Sequence, residues 1–365
     1  MGESMRRKFI IACIMALFVG ANVPSALVYA ENDQSTGHKI LYVDDDYNET
    51  TPGYGEYKFS KIQDAINKAP DGCKIIVYEG VYNEHLDITK RKEGNKIMDR
   101  IISIIGEDKH RVILKPPKDY AIKISSGRVT IDGLSMDGRR NIGKGIYILV
   151  GETEQYVRRV DIRNCIISNF TEAGIFVDNE RVDLVTIDGC KLVHNGRGVY
   201  ARKGNVDMIT FCEISKNAED GICLERARVC TIEKNIISNN GGFAISIKSS
   251  PYEGLYFINN NHIEGNDKGA ITTTDNNDYL IGMFIKWNNF IENGDNNKIY
   301  IITECRYLSA KGKGFPPIVY FKENYWEPAF PKSIKIKWGP FSLEGLRWYQ
   351  THPTGKEHAK PPVDP

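Results

Sequence analysis

Ile209-Thr-Phe-Cys212, then Gly221-Ile-Cys-Leu224, then Ile232-Glu-Lys-Asn235 is the stretch that decides the fold. An apolar residue is followed three positions later by a small one, a short alternating strand comes next, and the pattern restarts. Eight segments superpose on this frame: Ile131…Leu134, Ile162…Cys165, Ile187…Cys190, Ile209…Cys212, Ile232…Asn235, Ile258…Asn261, Ile285…Asn288 and Phe321…Asn324. Their small positions lie 31, 25, 22, 23, 26, 27 and 36 residues apart. A period in the twenties that tolerates insertions marks a solenoid, whose repeats bury a core only by stacking on one another.

The second register is a series of short strands: Gly145-Ile-Tyr-Ile148, Gly174-Ile-Phe-Val177, Gly198-Val-Tyr-Ala201, Gly221-Ile-Cys-Leu224, Ala244-Ile-Ser-Ile247, Ala270-Ile-Thr-Thr273 and Ile299-Tyr-Ile301. Alternation of this kind buries one face and leaves the other outward. Strands this short, separated by Asn, Gly and Asp turns, suit the coils of a parallel β-helix better than a sandwich. The expectation is therefore an all-β, single-domain solenoid.

Working outward to the ends, residues 1–30 read as a secretion signal: Arg6-Arg7-Lys8, an apolar run from Phe9 to Ala21, and Val28-Tyr29-Ala30 before cleavage. The expected division is a signal peptide over 1–30, the β-helix with its N-terminal cap over 31–326, a C-terminal cap over 327–350 and a tail over 351–365. That places the mature protein outside the cytoplasm: secreted, on the cell surface or periplasmic, and not inserted in a membrane. The chain has 48 Lys+Arg and 47 Asp+Glu, and without the signal's Arg6, Arg7, Lys8 and Glu3 the counts become 45 and 46. So even a balance gives no electrostatic reason to expect nucleic acid as a partner. A monomer is expected.

Lys39 to Val43 reads as a strand leading into the acidic turn Asp44-Asp45-Asp46. Ser60 and Gln63 have capping-box spacing, and Ile62, Ala65, Ile66 and Ala69 share a helical face, so a short helix is expected over the open first coil. Trp326, Trp338 and Trp348 lie late and plug the other end. Cys165, Cys190 and Cys212 occupy consecutive rungs of the small-residue column. They are expected as a ladder of buried thiols, with oxidation of two neighbours as the alternative in an exported chain.

The chain resembles the secreted right-handed parallel β-helix proteins of the pectin-lyase-like superfamily, in particular the NosD-like, carbohydrate-associated repeat proteins common in archaea. The residues that carry the resemblance are Tyr42-Val-Asp-Asp-Asp46, Phe59-Ser-Lys-Ile-Gln-Asp-Ala-Ile66, Ala69-Pro-Asp-Gly72, Gly80-Val-Tyr-Asn-Glu84, Ile105-Gly-Glu-Asp-Lys109 and Asn324-Tyr-Trp326. The resemblance implies a right-handed helix and polysaccharide as the partner class. It implies no catalytic residues. The paired aspartates and arginine of pectin methylesterases, the Gly-His-Gly and Arg-Ile-Lys of polygalacturonases and the Asp-Pro-His-Glu of alginate epimerases have no counterpart here.

With Ile146, Ile175 and Val199 inward, Tyr147, Phe176 and Tyr200 face outward on three successive rungs, a stack suited either to pyranose faces or to its own packing. Two residues on, Asp178, Arg202, Glu225 and Lys248 form a second outward column. Alternating charge there is an ordinary cross-strand ladder, yet Arg202 and Lys248 also suit an anionic polysaccharide and are the candidate catalytic cations of a lyase or epimerase. Asp178 and Glu225, two rungs and about 10 Å apart, have Arg202 between them, which holds both ionised and argues against a glycosidase pair. The preferred function is polysaccharide binding along this face. A uronate lyase or epimerase, and a structural or assembly protein of the cell surface or periplasm, are the alternatives.

Asp44, Asp45, Asp46 and Glu49 are the candidate Ca²⁺ ligands, as hard oxygen donors clustered in a loop. The histidines are scattered, so copper is not expected, and no other cofactor is implied. Asn48-Glu-Thr50 and Asn169-Phe-Thr171 fit the glycosylation sequon. Arg306, Lys311 and Lys313 lie in the longest insertion, which could wall one side of a groove.

Overall fold

The computed structural model describes residues 40–93, 96–150, 157–226, 229–294, 299–302, 318–322, 324–327, 335–338 and 341–344. The signal segment, the tail and the insertion carrying Arg306, Lys311 and Lys313 lie outside these residues.

The chain winds as a right-handed parallel β-helix with three short strands per rung. The first sheet runs from Ile40–Val43 through Cys73–Val77, Ile101–Gly106, Gly127–Asp132, Val157–Arg163, Val185–Asp188 and onward to Ile318–Lys322, all pairing in parallel. Its register puts Ile131, Ile162, Ile187, Ile209, Ile232, Ile258, Ile285 and Phe321 side by side, as the repeat demands. The second sheet stacks Lys191–Val193, Glu213–Ser215, Ile236–Ser238, His262–Glu264 and Asn289–Ile291. The third aligns Ile146, Ile175, Val199, Ile222, Ile245, Ile271 and Ile299.

Hydrophobic burial drives the winding. Every inward isoleucine from Ile131 to Ile285 in the first column is 0% exposed, and each contributes about 1.5–3 kcal/mol relative to an exposed side chain. Strand pairing alone would leave the rung corners as unsatisfied backbone, and the small-residue column solves that problem. Asn261 donates its Nδ2 to the Ile232 carbonyl (2.8 Å) and to Asn288 Oδ1 (3.0 Å), and its own Oδ1 accepts from the backbone and side chain of Asn235 (both 3.0 Å). Asn235, Asn288 and Asn324 continue the chain of amides. Buried amides satisfied on both sides fix the rung-to-rung register.

Cys165, Cys190 and Cys212 continue that column as free, buried thiols. Each sulfur lies against carbonyls, Cys212 Sγ at 3.1 Å from the Thr210 oxygen, and burial pushes the Cys165 and Cys190 thiols well up.

A second amide ladder, five residues further along each rung, escaped the sequence reading. Asn195, Asn217, Asn240, Asn266 and Asn293 are all buried. Asn217 Nδ2, for example, donates to the Leu192 carbonyl (3.1 Å) and to Asn240 Oδ1 (2.9 Å). The recurrence of Asn five positions after Cys190, Cys212, Asn235, Asn261 and Asn288 was the available signal.

The helix Ile62–Lys68 covers the first coil and buries Ile62, Ala65 and Ile66 as expected. Its cap differs from the capping box read in the sequence. Lys61 is the N-cap residue and makes no side-chain cap bond. Instead the Glu84 carboxylate, from the next coil, accepts from the N–H groups of Ile62 (2.8 Å) and Gln63 (3.0 Å). Ser60 hydrogen-bonds the Tyr54 hydroxyl (3.0 Å), while Gln63 braces the Asp87 backbone. A tertiary carboxylate displaces the local cap because it reaches two orphan donors at once. At the other end, Lys335–Trp338 and Phe341–Glu344 form an antiparallel pair.

Candidate functional site

Ile146, Ile175 and Val199 are fully buried, so strand alternation turns Tyr147, Phe176 and Tyr200 outward on the third sheet, in register. Their rings stack, with centroids 5.5 Å apart between Tyr147 and Phe176 and 4.9 Å between Phe176 and Tyr200. Glycines open these strands because the rungs approach closely: a Cβ at Gly198 would lie 2.6 Å from the Gly221 carbonyl oxygen. On the preceding rung Lys123 holds the aligned position, and Tyr120, in register with Lys144, tilts against Tyr147 at 6.5 Å, with His85 edge-on at 5.6 Å from Tyr120. Forward the column falls to the small buried Cys223, Ser246 and Thr272.

The stack is less open than sequence alternation implied. Phe176 is only 2% exposed, because cations lie over the rings. Lys144 Nζ stands 5.0 Å from the Tyr147 centroid and 5.2 Å from that of Phe176, Arg202 is 5.5 Å from Phe176, and Arg197 is 4.7 Å from Tyr200. Tyr120, Tyr147 and Tyr200 remain half-buried. The surface is thus an aromatic spine with tyrosine edges showing between cationic heads.

Each of these cations has a carboxylate. Lys144 meets Glu172 at 2.5 Å, Arg197 pairs with Glu219, and Arg202 binds Asp178 through two nitrogens at 2.8 and 2.6 Å. Asp178 thereby raises the pKa of Arg202, keeping it charged. The expected ladder of Asp178, Arg202, Glu225 and Lys248 is realised only in part. Arg202, Glu225 and Lys248 are in register, but Lys248 turns to the nearly buried Asp220 (3.7 Å) and Glu225 accepts from the Tyr200 hydroxyl (3.1 Å). Burial, then the Glu225 charge, pushes the Tyr200 phenol up to about 12. Arg202 therefore holds one carboxylate rather than two, since its planar fork is filled by Asp178.

At the upstream end the Tyr120 hydroxyl donates to Asp87 (2.8 Å), and His85 Nε2 lies 3.8 Å from the same carboxylate. Burial first, then Asp87, raises the Tyr120 pKa. Beyond the third sheet, Asp178, Glu180, Arg181, Lys203 and Arg226 line a groove of about 410 Å³ with charge of both signs.

Tyr120, Lys144 and Arg197 were not singled out from the sequence. Lys144 and Arg197 each immediately precede the glycine that opens an aromatic-bearing strand, which was the readable clue.

The acidic turn does not bring Asp44, Asp45, Asp46 and Glu49 together. Asp44 Oδ1 accepts from the Asp46 N–H and Asp45 Oδ2 from the Val81 N–H, both at 3.1 Å. Among the described residues, no three of His, Cys, Asp and Glu gather where a metal ion could sit. No helix among them is long and apolar enough to cross a membrane.

Residues 120–295 match the family model described as a right handed beta helix region. No curated protein matches the chain. Among solved structures, ORF18 of Geobacillus virus E2 is similar at 12% identity and a TM-score of 0.41, over 76% of this chain and 57% of that one. A PL6 family alginate lyase is similar at 14% identity and a TM-score of 0.42, over 80% of this chain and 41% of that one. The A-module of a mannuronan C-5 epimerase from Azotobacter vinelandii is similar at 12% identity and a TM-score of 0.38, over 77% and 90%. The chain spans about half the length of the first two.

Proposed function

We infer that this β-helix is an exported protein that binds polysaccharide along its third sheet, with the tyrosine edges as sugar contacts and the charged rim as the hydrogen-bonding partner of ring hydroxyls. The observation that carries the reading is the stack of Tyr147, Phe176 and Tyr200, with Tyr120 tilted against its upstream end and Lys144, Arg197 and Arg202 set against it. Rungs repeat at about 4.8 Å, close to the length of one pyranose unit, so a polymer laid along the axis would meet the Tyr147 and Tyr200 edges two rungs apart, with Phe176 covered between them. Aromatic edges bury sugar C–H surface while fixed ion pairs offer donors and acceptors already oriented, which lowers the ordering cost of binding.

Binding without turnover is the reading because the candidate cations are engaged. Arg202 is held by Asp178 and Lys248 faces Asp220, so neither is a free base. The test is to incubate the purified protein with neutral and uronate polysaccharides and follow size exclusion with light scattering. Co-elution without shortening, lost in Tyr147→Ala and Tyr200→Ala, is the expected result. Shortened polymer would establish catalysis instead, and the absence of any co-elution would leave the structural or assembly role.

A further inference from the structure

We propose that the corner between the second and third sheets is a separate oxyanion-binding groove, which takes the sulfate or phosphate ester groups of a glycan. The groove, of about 380 Å³, is walled by Arg140, Asn169, Thr171, His194 and Lys216 over a floor that includes Phe170 and Gly196. None of its lining residues is a carboxylate. Arg140, His194 and Lys216 are exposed, and among the described residues none of the three makes an ion pair.

That sets the corner apart from the ring-lined face, where Lys144, Arg197 and Arg202 each have an acidic partner. Carboxylates near the corner are already engaged. Asp137 accepts from Asn169 Nδ2 (2.9 Å) and from the Arg139 N–H (3.0 Å). Glu213 meets Lys191 at 2.8 Å, and Glu219 pairs with Arg197. Among the described residues Arg140, His194 and Lys216 thus line a concave surface without an ion-pair partner, and the Asp137 carboxylate beside Asn169 is bound by neutral donors rather than by a cation.

The backbone arranges the column. Asn169, His194 and Lys216 follow the aligned residues Ser168, Val193 and Ser215, so they hold the same turn on successive rungs about 4.8 Å apart. They share a left-handed conformation, with φ of 63°, 59° and 55°, and Arg140 on the preceding rung has φ of 61°. On the next two rungs Asn239 and Gly265 occupy that turn, the residue types that adopt it most easily. The same conformation recurs at other rung turns, at Lys234, Trp287 and Glu292 (φ of 57°, 55° and 48°), so it belongs to the coil geometry and serves here to set the side chains in a column. Guanidinium, imidazole and ammonium donors reaching in from different rungs match an anion with several equivalent oxygens better than a neutral hydroxyl.

The test compares dextran, dextran sulfate and phosphorylated dextran, which share a backbone, by calorimetric titration at low and moderate salt. Wild type is expected to bind the charged polymers with an affinity that falls as salt rises, dextran sulfate and phosphorylated dextran distinguishing the two esters. The variant R140N/H194N/K216N keeps residues suited to left-handed φ, so it should fold and melt as wild type while binding at least about tenfold more weakly, a loss of ~1.4 kcal/mol. Three results would overturn the site: neither charged polymer binds, the triple variant binds as well as wild type, or Tyr147→Ala and Tyr200→Ala abolish charged-polymer binding while the corner variant does not. Failure of both neutral and uronate polysaccharides to bind, with the charged dextrans still bound, would sink only the ring-lined reading.

Discussion

Replacing Asn261 by Leu tests whether buried amides, rather than apolar packing alone, hold the rungs in register. The Asn261 side chain makes four hydrogen bonds, two donated and two accepted. Leucine removes all four. The Asn288 oxygen keeps the Asn261 backbone N–H (2.9 Å), and Asn235 Nδ2 keeps the Ile209 carbonyl (2.9 Å). The Asn235 backbone N–H, the second Asn235 amide proton and the Ile232 carbonyl lose this side chain as partner inside the core. At about 1–3 kcal/mol per buried orphan, reduced by the added apolar burial, the expected cost is roughly 3–5 kcal/mol. A solenoid need not unfold in one step, so native-state hydrogen exchange is the assay. Protection of the Asn235 amide should fall by roughly a hundredfold to a few thousandfold, while the Ile75 amide, far along the axis, changes little. Loss of protection equivalent to less than about 1 kcal/mol at Asn235 would refute the assignment of rung register to the amide column.

Glu84→Ala should destabilise by about 1–2 kcal/mol in urea titration and Ser60→Ala by a few tenths, the reverse of what a local capping box requires. Cys223 is neutral up to about 11 against an ordinary value of 9.0, chiefly through burial. Because the folded pKa is raised, its stabilising effect is whole below pH 9 and is lost as pH climbs from 9 to 11, so the alkaline fall in urea midpoint should be shallower in Cys223→Ala. Ellman titration at pH 8 should find the buried thiols of Cys165, Cys190 and Cys212 unreactive until denaturant is added. In a glycosylating host, peptide mass mapping should find Asn48 occupied and Asn169 bare. Asn48 is exposed with the Thr50 hydroxyl on its Oδ1 (2.6 Å), whereas Asn169 Nδ2 is held by Asp137.

The coil path was legible in residues 131–324 because burial there is periodic. Isoleucine must recur wherever the chain returns to the core, so position in the repeat is position in space. The same logic found the ring column and the Asp178, Arg202, Glu225, Lys248 alignment. It misjudged what those side chains do next, because long charged side chains choose among neighbours on the same rung, the next rung and the corner. Lys248 chooses Asp220, and Glu225 chooses a phenol. The second amide column was in the sequence too, but polar residues in turns look alike whether they are buried or not.

Sequence by itself determined the all-β solenoid, its register and which residues turn outward, since those follow from the two-residue alternation of a strand and the spacing at which the chain re-enters the core. Only the tertiary structure decided the chemistry of the surface: that Glu84 rather than Ser60 caps the helix, that cations cover Phe176, that Asp44 and Asp45 accept from the Asp46 and Val81 N–H groups, and that Arg140, His194 and Lys216 make no ion pair among the described residues. Those outcomes depend on which groups from separate rungs come within hydrogen-bonding reach, and electrostatic choices among several partners a few ångströms apart leave no period in the chain.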